Sequence, residues 1–167
     1  NATKTTGGLV LIGSLVVLSL VWKPTRLGTV LALLAWPLAN LTTDVLKDAF
    51  QWNRPSWPDV MAANPWIQVR VEPLTSFGTA SAHSANMMAV ATVFLWLHRP
   101  MGALWCGVAV LTGLSRIYVG VHWPSEVVLG WLCGAVCGTI IVKCHQEAAR
   151  LLARRRTSPE QGQEAAE

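Results

Sequence analysis

Lys47, Arg54, Ser81, His83, Arg116, His122 and Glu126 are the side chains here whose types and spacing could do chemistry, and together they can hold and attack a phosphate. Arg grips two phosphate oxygens at once and Lys supplies a mobile point charge. Read singly, Lys47 and Arg54 are more simply snorkelling residues at a membrane surface. Ser81-Ala82-His83 stands at the start of an apolar run. A helix beginning there presents unpaired backbone N–H groups, that of Ala82 among them, to an anion. Ser81 adds a hydroxyl, and His83 can give a proton to a leaving oxygen near neutral pH. The plainer reading of the same residues is a capping serine and a polar first-turn histidine. Ser115-Arg116 precedes His122, and Glu126 follows that histidine by four residues, in the first turn of a helix begun by Pro124. A carboxylate so placed can accept one ring N–H and leave the other nitrogen free to attack. Equally, an acid in a first helical turn complements the helix dipole.

The elements that must position these residues are apolar. The chain has 167 residues, is 52% hydrophobic and only 13% charged, where soluble domains carry about 25% charged residues. Charges beside lipid are costly and mark function when they persist. Five apolar segments can be marked, at residues 7–22, 27–46, 81–97, 101–118 and 124–142, with Pro37 expected to kink the second. Each is near the lower end of the ~17–25 residues that span a bilayer. A polar, proline-rich connection, 51–80, separates the second from the third. The expected fold is all-α, a polytopic transmembrane bundle of about five spanning helices. One domain covers residues 1–150, and residues 151–167 form a charged, disordered cytoplasmic tail. Gly130, Gly134 and Gly138 recur every four residues and make a stripe for close helix packing inside the bundle. Cys106, Cys133, Cys137 and Cys144 match neither a zinc pattern nor a disulfide framework and read as small apolar helix residues.

The net charge of +4 does not signal nucleic acid, because the basic residues are scattered and several flank apolar runs. They set orientation instead. Lys23 and Arg26, then Arg99, then Lys143, Arg150 and Arg154 to Arg156 mark alternate connections and the C-terminal tail, which the positive-inside rule makes cytoplasmic. The connection 51–80 and the junction before Pro124 then face outward, so the phosphate-handling residues gather on the periplasmic or extracellular side. Five spans place the N-terminus outside, and the chain opens on Asn1 rather than Met, which leaves room for a sixth helix or a cleaved signal segment upstream.

The order and spacing of these residues resemble the type-2 phosphatidic acid phosphatase superfamily, which includes lipid phosphate phosphatases, glucose-6-phosphatase and the vanadium haloperoxidases. Its signature is K-x6-R-P, then P-S-G-H, then S-R-x5-H-x3-D. Lys47 and Arg54-Pro55 match the first part, and Ser115, Arg116 and His122 match the third at the right spacing. Two positions depart: Ala80-Ser81-Ala82-His83 lacks the usual Pro and Gly, and Glu126 stands where the signature has Asp. The resemblance, which covers about residues 44–130, implies an integral membrane enzyme, a metal-independent lipid phosphate or diphosphate phosphatase without cofactor, and the small size and compact cytoplasmic loops suggest a bacterial one, of the inner (plasma) membrane. By the same resemblance His122 attacks phosphorus and becomes a phosphohistidine. His83 protonates the leaving group, and Glu126 orients His122. Lys47, Arg54, Arg116, Ser81 and the Ala82 N–H hold the phosphate oxygens. The implied partners are a phosphorylated lipid and the bilayer. Two further readings use the same residues: a phosphotransferase with a lipid acceptor, and an impaired homologue that binds phospholipid without turning it over.

Overall fold

The computed structural model describes residues 17, 19–72, 74 and 76–164, with side chains described as far as Arg155. It is helical, with no strand among the described residues. The helices are α1 (Lys23–Phe50), α2 (Pro58–Ala63), α3 (Ala82–Leu97), α4 (Arg99–Tyr118) and α5 (Pro124–Glu164). Helices α1, α4 and the Pro124–Arg155 part of α5 are long and apolar enough to cross a membrane. Helix α3 has 16 residues, or about 24 Å at 1.5 Å per residue, short of the ~30 Å hydrocarbon core. The expected first segment, 7–22, lies largely outside the described residues.

The shortest of the four long helices is the central one. Helix α3 packs most extensively on α5, then on α4 and α1. Its buried residues, Ser84, Ala85, Asn86 and the run from Ala89 to Phe94, go all the way round the helix. A helix apolar on every side belongs in the middle of a bundle. Small residues then decide how close its neighbours come. Added Cβ atoms at Gly130 and Gly138 of α5 would lie 2.6 Å from the Ser81 carbonyl oxygen and 2.7 Å from that of Ala89, and one at Gly134 would run into the Ala85 carbonyl. The glycine stripe therefore seats α5 directly on the main chain of α3. On the other side, Asn86 Nδ2 donates to Asn40 Oδ1 of α1 at 2.9 Å. Leu33, Leu34 and Leu41 of α1, Leu104 and Leu111 of α4, and Leu132 and Val136 of α5 stay exposed, which suits a lipid-facing surface.

Element ends differ from the sequence-based boundaries in instructive ways. Lys23-Pro24-Thr25-Arg26, expected to be a break, is the first turn of α1, because proline is tolerated where no intrahelical N–H bond is required. The helix runs through Pro37 and ends at Phe50. Gln51, at φ 51°, takes the left-handed conformation and returns its N–H to the Lys47 carbonyl at 2.9 Å, so regular structure stops before Pro55. Helix α5 extends to Glu164, across a stretch where a disordered tail was expected. The Ala, Leu and Arg residues from Ala148 to Arg156 are strong helix formers and carry the helix on.

Candidate active site

Six separate pieces of chain bring the seven predicted side chains to one end of the bundle. Lys47 sits in the last turn of α1, Arg54 in the loop after it, and Ser81 and His83 at the start of α3. Arg116 lies in the last turn of α4, and Glu126 in the first turn of α5. His122 occupies the short junction between those two helices. That junction turns at Gly120, whose φ of 76° and whose close approach to the Gln68 carbonyl admit no side chain.

The His122 ring is held from both edges. Its Nδ1 lies 2.8 Å from Glu126 Oε2, and its Nε2 lies 2.8 Å from Arg54 Nη1. A guanidinium can only donate, so Nε2 must carry the lone pair and Nδ1 the proton, which it gives to Glu126. Both partners select the same neutral tautomer. Burial pulls His122 below its ordinary value of 6.5; the hydrogen bond to Glu126 opposes that fall, and the positive charge of Arg54 adds to it. His122 is 4% exposed and Glu126 0%. The Trp123 N–H also donates to Glu126 Oε2, at 3.1 Å, fixing the carboxylate against the start of α5.

Arg54 is 3% exposed, and the loop 51–80 is wrapped around it. Its Nε donates to the Ser76 carbonyl at 2.6 Å. Nη2 donates to Ser76 Oγ at 3.1 Å and to the Phe77 carbonyl at 3.0 Å. Nη1 donates to the Val121 carbonyl at 3.0 Å as well as to His122. Every guanidinium N–H is thus engaged. The loop is further pinned by Gly78 N–H to the Trp52 carbonyl at 2.8 Å and by Trp123 Nε1 to the Asn53 carbonyl at 3.1 Å.

Ser81 is fully buried. It caps α3, with its Oγ accepting from Ser84 N at 3.4 Å and from Ser84 Oγ at 3.0 Å. Its own N–H donates to the Glu126 carbonyl at 3.0 Å. That ties the start of α3 to the start of α5 and leaves the N–H groups of Ala82 and His83 as the first-turn donors of α3.

Lys47, His83 and Arg116 form the open side. His83 is exposed and Arg116 half-buried. Arg116, His122, Lys47 and Arg54 all lie near enough to His83 to act on its ring electrostatically. Lys47 Nζ pairs with Asp44 Oδ1 at 2.7 Å, an i,i+3 contact in which Asp44 is 64% exposed. Sequence reasoning passed over Asp44, although a carboxylate one turn before a lysine on a helix announces such a pair. Arg116 Nε reaches only Ser115 Oγ, at 3.3 Å. A cavity of about 440 Å³ borders His122 and is lined by Trp66, Ile67 and Ile117 among others. Lys47, His83 and Arg116 are not among its lining residues. Among the described residues no cluster of His, Cys, Asp or Glu is arranged to hold a metal ion.

The family model of the PAP2 superfamily matches residues 25–150. The chain is 32% identical over 120 residues to the undecaprenyl-diphosphatase of Sulfolobus acidocaldarius, covering 71% of this chain and 55% of that protein. It is 31% identical over 115 residues to phosphatidylglycerophosphatase B of Bacillus subtilis, covering 62% of this chain and 51% of the relative. The chain thus spans about half the length of the curated relatives it matches. Among solved structures it superposes on LpxE of Aquifex aeolicus with a TM-score of 0.63 at 26% identity, covering 80% of this chain and 77% of the other.

Proposed function

The chain belongs to the PAP2 superfamily and is an integral membrane protein, and from that premise we propose that it is a phosphatase that removes a terminal phosphate from a membrane lipid through a phosphohistidine at His122. The single observation that carries this reading is the ring of His122, held in one neutral tautomer between Glu126 and Arg54. A histidine whose Nδ1–H is anchored to a carboxylate carries its lone pair on Nε2, free to attack once the Arg54 donor that caps it moves to phosphate.

The proposed reaction begins with the phosphate settling among Lys47, Arg116 and the first-turn N–H groups of α3. Arg54 then exchanges one partner. Its Nη1, which caps the Nε2 lone pair at rest, transfers that donor to a phosphate oxygen as Nε2 bonds to phosphorus. The P–O bond to the lipid breaks, and His83 gives its proton to the departing oxygen. Negative charge on the phosphoryl oxygens is balanced by Lys47, Arg54 and Arg116. In the second half His83 takes a proton from water, whose oxygen attacks phosphorus. The P–Nε2 bond breaks, and inorganic phosphate leaves with His122 restored. Glu126 keeps the imidazole oriented and balances its charge throughout. Ser81, whose Oγ accepts from Ser84 and whose N–H donates to the Glu126 carbonyl, fixes the start of α3 and keeps its own O–H to offer a phosphate oxygen.

The relatives named an undecaprenyl-diphosphatase and a phosphatidylglycerophosphatase direct the substrate search toward a polyprenyl diphosphate and a phosphatidylglycerophosphate. The distribution of Lys and Arg supports a plasma-membrane protein with its site on the outer face and a cytoplasmic C-terminus. The test is phosphate release by purified protein from a panel containing those two lipids, phosphatidic acid and lipid A. Release from at least one, abolished by His122→Ala, is the expected result. Release only in the presence of an acceptor lipid alcohol would make the enzyme a transferase. Phospholipid binding with no release from any member would favour the impaired homologue that Ala82 and Glu126 bring into view.

A further inference from the structure

Glu126 is one methylene longer than the aspartate of the family signature, and that length must be accommodated in a site with no slack. The carboxylate reaches toward the loop that precedes α3. A Cβ built on Gly78 would lie 2.8 Å from both the carboxyl carbon and Oε2 of Glu126, and would overlap Oε1 outright. Neither side can retreat. Oε2 is fixed by His122 Nδ1 and the Trp123 N–H, and Oε1 is buried with no hydrogen-bond partner. Gly78 donates its N–H to the Trp52 carbonyl at 2.8 Å. On either side of it, the Phe77 carbonyl accepts from Arg54 and Thr79 Oγ1 accepts from Trp52 N. The backbone at this position is not in the left-handed region, so conformational freedom does not explain the glycine. Space does.

We propose that Gly78 is a positioning residue matched to Glu126: the side chain missing at position 78 is the room that the additional methylene at position 126 occupies. The two positions form a compensating pair, in which glycine accompanies glutamate and a larger residue is compatible only with aspartate. A side chain at position 78 drives Oε2 off Nδ1, and the His122 tautomer loses its anchor.

The activity arm of the test rests on the phosphohistidine reading; the stability arm does not. Four full-length proteins in detergent are compared: the wild type, Gly78→Ala, Glu126→Asp and the double variant. Gly78→Ala should lower kcat about 10- to 100-fold, the size expected when a reacting group is misplaced by about 1 Å. KM should stay nearly constant, because Lys47, His83 and Arg116 are not disturbed. In the double variant kcat should return to within about threefold of Glu126→Asp alone, since contacting residues couple rather than add. Melting temperatures should follow the same order. An alanine penalty of equal size in both backgrounds would mean simple loop damage and would overturn the pairing, as would a harmless Gly78→Ala in the presence of Glu126. If Gly78→Ala does not fold, a folded double variant supports the proposal and an unfolded one overturns it. If the wild type releases no phosphate from any lipid, the proposed function fails, and the melting temperatures alone decide the pairing.

Discussion

Two halves of the site are built by opposite rules. Arg54, His122, Glu126 and Ser81 are all 4% exposed or less and bound to one another or to backbone at nearly every polar atom. Lys47, His83 and Arg116 are partly or wholly exposed and hold no hydrogen bond to each other. A buried polar network is worth keeping only when it is satisfied, and it is then rigid. An open set of charges can rearrange around an arriving anion. The contrast teaches that the proposed nucleophile is oriented before substrate binds, while the proposed phosphate clamp is assembled on it. Lys47 illustrates the second rule, since its partner at rest is the exposed Asp44, an acid that an incoming phosphate can displace.

The largest expected effect falls on the buried half. His122→Ala should reduce phosphate release by more than about 10⁴-fold, the scale seen when a nucleophile is removed from a cooperative catalytic unit. A residual rate within tenfold of the wild type would break the division outright. Next comes a paired comparison of the two arginines. Arg54→Ala strips donors from the carbonyls of Ser76, Phe77 and Val121, the last of them buried, and should cost about 2 kcal/mol of stability together with activity. Arg116→Ala should alter stability by about 0.5 kcal/mol or less and act on turnover instead, lowering kcat/KM roughly 10- to 100-fold through both KM and kcat. Equal losses of melting temperature in the two variants would erase the distinction between the halves.

A smaller effect appears in the pH dependence. Burial lowers His122 from 6.5, so the acid limb of kcat/KM assigned to this ring should lie below that value. Glu126 raises the His122 value through both its hydrogen bond and its charge, so Glu126→Gln should move the limb further down. The sign for stability is the same. As pH falls below 6.5 the unfolded chain takes up a proton that the folded ring refuses, so the fold loses stability between 6.5 and the lowered value. An acid limb at or above 6.5 would mean that the ring is not held neutral.

Much of this was legible in the sequence, because the decisive spacings are local. The four-residue step from His122 to Glu126 places a carboxylate within reach of the imidazole whatever the rest of the chain does, and the structure sets them 2.8 Å apart. Apolar segments flanked by basic residues likewise announced the helices, and the glycine stripe of α5 packs inside the bundle as its period suggested. The surroundings of Arg54 were not legible. Its partners at positions 76, 77 and 121 include three backbone carbonyls, and a carbonyl carries no residue identity to read. Gly78 was invisible for a related reason, since its meaning lies in a contact 48 residues away with Glu126. Helix ends were misjudged where one residue overruled the usual punctuation, as Gln51 does by turning left-handed without being glycine.

The seating of α5 on α3 has a mechanical consequence. The gap between the two helices is gauged by main chain against main chain, at Gly130 on Ser81, Gly134 on Ala85 and Gly138 on Ala89. Side-chain interfaces creep as rotamers exchange, but a backbone contact has no such play. Glu126, bound to the His122 imidazole, rides on the first turn of one helix, and His83, the proposed proton donor, rides on the first turn of the other. A bilayer that thins or thickens must therefore tilt both helices as a single lever, and the reacting groups travel together on its end.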